Sequence, residues 1–590
     1  MKINKTYFSK FLFLLGDSKK QAALLIGLFL FSSLLDIIGI SIIAPYIALI
    51  INPESIATSD LYISLTKWAG INSSKDVIII VGYLLIIVFI FKAILGIFIN
   101  KKILTYCYYR GYVIRTSLFS FYQNMPYSEY MSHNKSDFVH RVQELTYIFS
   151  QVFLQSILRF VSEIIVAFAI LLFLLYKEPY AVLLLLVVLI PIMYIYDLFF
   201  KDKVSQLGTV SNQSSKRIIK DVNQGIEGLK EIRILGCENY FYKRVKDGSK
   251  RYLRARVKEG VISGIPRYLV ESTLVIFLVL LIFSLLSTEA QTNEIFPILS
   301  MFGLAAIRLA PSVNQISSGL NQIRYGENTI SVLYKDYKKY CSNMGKINKN
   351  VGRVNNFKTL ELKEIFFSYD GNKLIINGID LTIKKGDLIG IVGKSGSGKT
   401  TLVDLLLGVL NPDSGNIKYN GDELNKNMHE WQSQVAYLPQ EAFITDDSLK
   451  NNIALGVKEG DINEKLLNNA ILKSRLSELV DSWSDGFNTT LGDGGIKLSG
   501  GQKQRVALAR AFYHQRDILI MDESTSSLDS ETESEIVNEI KLLKNSKTII
   551  IIAHRITTLK DCEQIVVIES GKIAKNQTYN EFIEENKNVK

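Results

Sequence analysis

The chain has 590 residues, of which 48% are hydrophobic and only 21% are charged, so apolar residues must be concentrated in particular segments. A net charge of +11 would suit nucleic-acid binding. In a chain with long apolar runs, however, excess Lys and Arg more often marks the cytoplasmic face of a membrane, so we expect no nucleic-acid partner. Four cysteines lack metal-ligand spacing, which indicates reduced structural thiols: Cys107, Cys237, Cys341 and Cys562.

Long apolar stretches dominate the first half of the chain, and a helix needs about 20 apolar residues to cross a bilayer. Six stretches are long enough: 21–50, 77–100, 151–176, 179–200, 259–287 and 294–325. The first follows a short basic segment, exceeds the length of a signal-peptide core, and is not closed by a small-residue cleavage site. We therefore predict that it remains as a membrane-spanning helix.

The segments between these stretches differ in length and charge. Residues 101–150 and 201–258 are long and rich in Lys and Arg, whereas Ser287–Glu294 contains neither. The positive-inside rule then predicts a multi-pass protein of the cytoplasmic membrane with both termini and both long segments in the cytoplasm. Residues 51–76 would lie outside, either as an amphipathic surface helix or as an ordinary structured loop.

Each long cytoplasmic segment contains a short polar interruption. The two interruptions are Pro126–Phe138 and Asn223–Gly236. Each is either a simple connection between two helices or an element that docks on a second domain. From about residue 355 the apolar runs shorten and strand–turn–helix patterns appear. We therefore predict a membrane domain at 1–329, a polar linker at 330–354 and a second domain, with strands and helices, at 355–590.

The motif GKSGSGKT, Gly393–Thr400, follows the apolar strand Leu388–Val392 and precedes a helical pattern, which is the setting of a P-loop. Its glycines let backbone N–H groups surround phosphate oxygens at a helix N-terminus. Lys399 would reach the β- and γ-phosphates, and the Thr400 hydroxyl would help to hold Mg²⁺. ATP and Mg²⁺ are therefore the expected cofactors.

A second apolar strand, Asp517–Glu523, ends in two carboxylates. Asp522 would be a Mg²⁺ ligand, and Glu523 would polarise the water that attacks the γ-phosphate. Two acids after an apolar strand carry little information alone. Downstream of a P-loop they are the expected second half of a nucleotide site.

The pentapeptide LSGGQ, Leu498–Gln502, runs into the helical pattern KQRVALARAF. With this motif the chain resembles the ATPases of ABC transporters from about residue 355 to its C-terminus. The resemblance implies ATP-binding residues on the P-loop side: Tyr369, Gly393, Lys394, Ser395, Gly396, Ser397, Gly398, Lys399, Thr400 and Thr401. It also implies that Ser499, Gly500, Gly501 and Gln502 bind the ATP held by the P-loop of a second subunit.

The resemblance implies further roles near the phosphates. The catalytic residues would be Glu523, His554 and Gln440, and the Mg²⁺ ligands would be Thr400, Gln440 and Asp522. Two positions depart from the commonest family residues. Asp493 stands where Glu is commoner, in a segment that exporters place against their docking elements, and the serine before Leu528 stands where Ala is commoner.

Six predicted spans followed by one ATPase domain resemble an exporter-type half-transporter. The implied fold class is an α-helical six-span transmembrane domain followed by an α/β P-loop ABC ATPase domain. Because Ser499, Glu523 and His554 are all intact, the expected partner is a second copy of the chain, although a heterodimer stays open. A soluble ABC ATPase of DNA repair or translation is excluded by the predicted spans.

Four basic residues fall inside predicted spans, where an unpaired charge costs about 2.5–3.5 kcal/mol. Arg159 and Arg267 have an acid four residues later, at Glu163 and Glu271, and those pairs could satisfy each other. Lys92 and Arg308 have no such acid on their own helix. We predict a basic substrate cavity that is suited to an anionic head group and lined by Lys92, Arg267 and Arg308.

Such a cavity, the outer segment, and the stretches GLKEIRILG and RLAPSVNQI resemble flippases of lipid-linked oligosaccharides. The predicted function is therefore ATP-driven flipping of a polyprenyl-diphosphate-linked oligosaccharide or another glycolipid, with membrane lipids and an anionic lipid-linked substrate as partners. Two alternatives stay open. One is a lipid A-type or multidrug exporter, and the other is a peptide or protein exporter.

Overall fold

The structure is a computed structural model that describes residues 5–16, 19–51, 74–287, 292–343, 356–522, 547–553 and 556–587. The chain forms two compact units. Unit 1 comprises Met1–Met125 with His133–Lys346, and unit 2 comprises Pro126–Ser132 with Ile347–Lys590. The predicted outer segment, 51–76, lies mostly outside the described residues.

Unit 1 is helical. Its helices are α1 Lys5–Leu15, α2 Lys19–Ile51, α3 Ser74–Gln123, α5 Lys135–Val139, α6 Gln155–Lys177, α7 Pro179–Glu227, α8 Leu229–Leu235, α9 Glu238–Ser287, α10 Thr292–Tyr325 and α11 Glu327–Asn343, and the short helix α4 Tyr127–Met131 belongs to unit 2. Two π-helical stretches, His140–Leu145 and Ile148–Leu154, lead into α6.

Sequence accounts for several helix ends. Pro179 starts α7, where a missing N–H costs nothing, and α8 ends at Gly236 in the left-handed conformation (φ 63°). The predicted start of the linker, at residue 330, needs correction because it lies inside α11. The apolar side chains of Ile330 and Leu333 are fully buried, and this burial extends the helical unit to Asn343.

Five helical stretches are long and apolar enough to cross a membrane, by length and composition, within the part of the chain that the structure describes. They are Ala23–Ile43, Asp76–Gln123, Lys135–Lys177, Pro179–Glu227 and Glu238–Ser284. The predicted sixth span, 294–325, falls within α10, whose first residues have no described side-chain environment. The sixth membrane span therefore stays a prediction.

Among the described residues, two large hydrophobic clusters and a smaller one hold the helices of unit 1 together. Of the two large clusters, one joins α1, α2, α3, the π-helical stretches, α6 and α11, and the other joins α2, α6, α7, α9 and α10. Gly208 marks a close approach of α7 to the C-terminal end of α10. A Cβ atom there would lie 2.3 Å from the Tyr325 carbonyl oxygen, so only glycine fits without a backbone shift.

Unit 2 contains two sheets with helices packed on them. Its strands are β1 Thr359–Phe367, β2 Ile376–Lys384, β3 Leu388–Val392, β4 Ser414–Tyr419, β5 Asp422–Glu423, β6 Val435–Leu438, β7 Ile518–Asp522, β8 Thr548–Ile552, β9 Gln564–Glu569 and β10 Lys572–Gln577. Its helices after the linker are α12 Lys399–Leu406, α13 Met428–Gln434, α14 Leu449–Ile453, α15 Glu464–Lys473, α16 Ser477–Asp481, α17 Gly500–Tyr513 and α18 Tyr579–Lys587.

The larger sheet positions the nucleotide motifs. Its strand order is β10-β9-β3-β8-β7-β6, and all neighbours are parallel except the edge pair β10-β9. Every residue of β3, β7 and β8 is buried, as expected of strands covered on both faces. The carboxyl ends of β3 and β7 lie at one edge of the sheet, which is where such sheets bind ligands.

Candidate nucleotide site and membrane charge cluster

The P-loop, Gly393–Thr400, connects β3 to α12. Gly393 passes close to the neighbouring strand end, because a Cβ atom there would lie 2.3 Å from the Ile568 carbonyl oxygen. Gly396 and Gly398 have φ values of 77° and 105°, which side chains other than glycine rarely adopt. The loop thus has the backbone shape that directs successive N–H groups toward one point, as phosphate binding requires.

Two side chains of the loop fit a phosphate ligand. The Lys399 ammonium group is buried and donates to the carbonyl oxygens of Gly393 (2.8 Å) and Lys394 (3.2 Å). Within the described residues, the buried Ser397 hydroxyl has no hydrogen-bond partner. Of the other predicted positions in the loop, Lys394, Ser395, Gly396 and Thr400 are exposed, whereas Gly398 and Thr401 are buried. These features fit ATP.

Tyr369 lies beside this loop. Its hydroxyl and that of Thr401 are 3.2 Å apart and share a hydrogen bond, and its ring meets Phe367 edge-on at 5.0 Å. The Tyr369 side chain is 47% exposed, which leaves ring surface available for stacking. The structure therefore brings Tyr369, a predicted ATP-binding residue, to the P-loop helix.

The carboxyl end of β7 supplies Asp522, which is buried. The Tyr437 hydroxyl on β6 donates to its Oδ2 atom at 3.2 Å. Burial, and then the charge of Asp522, raise the pKa of Tyr437, so the phenol stays protonated and remains a donor. Gln440 is exposed two positions after β6, and its carbonyl oxygen accepts a hydrogen bond from Gln504 at 3.4 Å.

Asp404 is a second acid near Asp522. Burial, and then the charge of Asp522, raise the pKa of Asp404 to about 6. Sequence reasoning missed both Asp404 and Tyr437. The available signal for Asp404 was its position four residues after Thr400, which places the two on one face of α12. Glu523 and His554 lie outside the described residues, so their roles stay predictions.

The signature begins the long helix α17. Ser499 caps the helix, accepting from the Gln502 backbone N–H (3.3 Å), while the Gln502 side chain accepts from the Ser499 N–H (2.9 Å). Ser499 and Gly500 are exposed, and Gly501 is half-buried. The helix N-terminus is thus presented on the surface. Asp493 is also exposed, in a turn whose glycines Gly492, Gly494 and Gly495 have positive φ.

The basic residues predicted inside the membrane are paired. Lys92 forms an ion pair with Asp36, and Arg308 donates to Asp36 (Nε to Oδ1, 3.2 Å) and Glu163 (Nη1 to Oε2, 3.1 Å). The expectation that Lys92 and Arg308 carry unpaired charge is therefore wrong. Their acids come from other helices, which same-helix spacing does not reveal. A role for either residue in substrate binding stays a prediction.

The two predicted same-helix pairs have different outcomes. Arg267 and Glu271 form the expected pair at 2.9 Å, with both side chains more than half exposed. The predicted pair of Arg159 with Glu163 is wrong. Glu163 instead faces Arg308 on α10, and Arg159 donates to the Asn100 side chain at 3.3 Å.

Two family models match this chain, one in its helical first part and one in its second part with the sheets. Residues 23–305 match the family model described as the ABC transporter transmembrane region, and residues 376–526 match the model described as ABC transporter. The chain belongs to the ABC transporters. With a transmembrane region and an ATPase domain in one chain, this ABC transporter has the domain order of an exporter-type half-transporter. The predicted fold class, a helical transmembrane domain followed by an α/β P-loop ABC ATPase domain, is confirmed.

Individual relatives extend the comparison. The heterocyst differentiation ATP-binding protein HepA of Nostoc sp. is 31% identical over 61% of this chain. ATP-dependent lipid A-core flippases of Ralstonia nicotianae and Saccharophagus degradans are 38% and 27% identical over 38% and 65% of it. This chain spans 58%, 38% and 63% of the lengths of these three relatives.

A solved structure supports the fold. The structure of a bacterial Atm1-family ABC exporter with ATP bound aligns over 97% of both chains with a TM-score of 0.73 and 17% sequence identity. At this level of identity the likeness establishes the architecture of the ABC transporter and carries no statement about its substrate.

Proposed function

We propose that two copies of this ABC transporter form an ATP-driven exporter. It would flip a polyprenyl-diphosphate-linked oligosaccharide, or another glycolipid with a phosphate-bearing head group, across the cytoplasmic membrane, with its termini in the cytoplasm. The observation that carries this proposal is the combination in one chain of a helical transmembrane region with a P-loop and a signature helix.

The exposed signature supports a dimer. Ser499 and Gly500 lie at an accessible helix N-terminus, and such termini bind phosphate well. A P-loop of a second copy would bring its ATP to this helix. Because the sequence retains Ser499, Glu523 and His554, a homodimer would have two competent sites.

The cytoplasmic turn around α8 supports the same arrangement. Four apolar side chains of this turn, in unit 1, are 45–76% exposed: Ile226, Leu229, Ile234 and Leu235. An apolar surface outside the membrane favours a protein contact. We therefore infer that the second predicted docking element, Asn223–Gly236, contacts the ATPase domain of the other copy.

The nucleotide chemistry follows from the site. Lys399 would exchange its carbonyl partners for the β- and γ-phosphates, and the Ser397 hydroxyl would gain a phosphate acceptor. Thr400, Gln440 and Asp522 would hold Mg²⁺, which neutralises phosphate charge when bound. Glu523 would polarise water for attack, and His554 would contact the γ-phosphate. Closure of two ATPase domains on ATP would then shift the membrane helices from inward- to outward-facing.

Lys92 and Arg308 support an anionic substrate. Their side chains are 27% and 25% exposed, so each combines a buried ion pair with an accessible edge inside an apolar helix bundle. Intramembrane charges of this kind generally mark a substrate path. The relatives named lipid A-core flippases favour a second candidate, a lipid A-type glycolipid, which also carries phosphate.

The test is ATP hydrolysis by the purified protein in lipid nanodiscs with defined additions. The additions are a polyprenyl-diphosphate-linked oligosaccharide, lipopolysaccharide, hydrophobic drugs and peptides. Stimulation by the lipid-linked oligosaccharide alone supports the first candidate, and stimulation by lipopolysaccharide alone supports the second. Stimulation by drugs or peptides only would contradict both.

A further inference from the structure

Two acidic and two basic side chains in unit 1 form one cluster. The acids occupy the bases that are proposed to bind an anionic substrate. Asp36 lies on α2, Lys92 on α3, Glu163 on α6 and Arg308 on α10. The cluster has a closed side and an open side. The Asp36 side chain is only 2% exposed, whereas the other three side chains are 20–27% exposed. Its two positive and two negative charges cancel.

The hydrogen bonds divide this cluster into two pairs. Lys92 with Asp36 is one pair, and Arg308 with Glu163 is the other. The second pair is reinforced by Ser312, whose hydroxyl donates to the Glu163 carboxylate at 2.6 Å and accepts from Arg308 Nη1 at 3.1 Å. A charged contact that joins the two pairs is the hydrogen bond from Arg308 Nε to Asp36 Oδ1, at 3.2 Å.

Breaking that bond leaves two neutral halves. Lys92 would keep Asp36, and Arg308 would keep Glu163, so no charge is stranded in a low-dielectric region, where an unpaired ion is costly. The freed Arg308 Nε edge would then be available to an anion. Asp36 is already poorly satisfied, because its buried Oδ2 atom has no hydrogen-bond partner among the described residues. The Arg308 Nε–Asp36 bond is therefore a charged contact whose loss leaves both ion pairs of the cluster intact.

We propose that Asp36 occupies an anion-binding edge of Arg308 until a phosphate of the transported lipid displaces it, and that this exchange lets α2 and α3 part from α6 and α10. The inference rests on the proposed function. Asp36 thereby becomes a specificity-determining residue, since a neutral lipid offers nothing that can replace a carboxylate on a guanidinium. Phosphate does so well, through charge-assisted hydrogen bonds to the planar fork.

The experiment measures the lipid concentration that half-maximally stimulates ATP hydrolysis in nanodiscs. The probes are a polyprenyl-diphosphate-linked oligosaccharide and lipopolysaccharide, to separate the two phosphate sources, with a dolichol-type free alcohol as the neutral lipid. The variants are Asp36→Asn and Asp36→Ser, each of which removes the carboxylate from the Arg308 Nε edge and keeps Lys92. The matched control is Glu423→Gln/Lys426→Gln, which deletes an exposed neutral pair of the ATPase domain.

Loss of the Asp36 carboxylate should lower the half-stimulating concentration of the stimulating phosphate lipid about tenfold, which is the size expected for one hydrogen bond between charged groups. The control pair deletion should leave that concentration unchanged. If Asp36→Asn does not fold, Asp36→Ser gives the same comparison. If a phosphate lipid stimulates the wild type but its half-stimulating concentration is unchanged or raised in the Asp36 variants, the exchange is overturned and the proposed function is not. A wild type that no phosphate lipid stimulates overturns both the exchange and the proposed function.

Discussion

Replacing Asp404 by Asn should stabilise the ATP-free protein at neutral pH. Burial and the charge of Asp522 raise the pKa of Asp404 from 3.8 to about 6, so the folded ATPase domain holds this proton more tightly than the unfolded chain. Stability therefore falls as pH rises from about 4 to about 6, and above that range the full penalty of an ionised Asp404 is present. Asn has nearly the same shape and carries no charge.

The magnitude follows from the shift. A change of about two pKa units corresponds to about 3 kcal/mol. Because Asp404 is only half-buried, solvent screening reduces this to about 1–2 kcal/mol. For a domain of this size the apparent unfolding temperature of Asp404→Asn should rise by about 3–6 °C at pH 7.5.

The assay is thermal unfolding of the full-length protein in nanodiscs without nucleotide, from pH 4 to pH 8. Asp370→Asn is a matched control in the same domain, because backbone N–H groups of Asn372 and Lys373 lower the pKa of Asp370, which gives the opposite sign. The gain for Asp404→Asn should disappear toward pH 4. No gain at pH 7.5, or an equal gain at pH 4, would refute the reasoning.

Three further predictions use the same preparation. Tyr437→Phe removes a hydrogen-bond donor to the Asp522 carboxylate and should raise the Mg²⁺ concentration for half-maximal ATP hydrolysis about tenfold. An unchanged Mg²⁺ dependence would argue against a role of Tyr437 in holding Asp522. Gly208→Ala forces a Cβ against the Tyr325 carbonyl and should cost about 1–3 kcal/mol in thermal unfolding, while Gly264→Ala, which has open space, should not. Asp221→Ala removes a fully buried acid that pairs with an arginine on α9 and should cost about 1–3 kcal/mol, and an unchanged unfolding temperature would contradict it.

The nucleotide-binding motifs could largely be predicted from the sequence because each motif is a short run of neighbouring residues. Gly396 and Gly398 adopt the positive φ angles that a phosphate loop needs, and Lys399 is directed into that loop. Ser499 begins a helix as its capping pattern predicts. In each case the residues that determine the geometry are adjacent in the chain.

The ion pairs of the membrane domain were harder to predict because they join residues that are far apart in the chain. Spacing along one helix correctly paired Arg267 with Glu271. It failed for Glu163, whose partner Arg308 lies 145 positions away on another helix. Helix rotation and packing decide such pairs, and a hydropathy pattern that is apolar on all sides gives no signal of rotation. For the same reason the acid at Asp36 received no role.

Direct measurement of lipid translocation tests the central claim most sharply. Proteoliposomes would contain a fluorescent polyprenyl-diphosphate-linked sugar or fluorescent lipopolysaccharide, and a membrane-impermeant quencher would report which leaflet holds the label. With ATP on the side of the ATPase domains, the wild type should move one of these phosphate lipids, and Glu523→Gln should not sustain the movement. ATP hydrolysis by the wild type without translocation of either lipid would contradict the account.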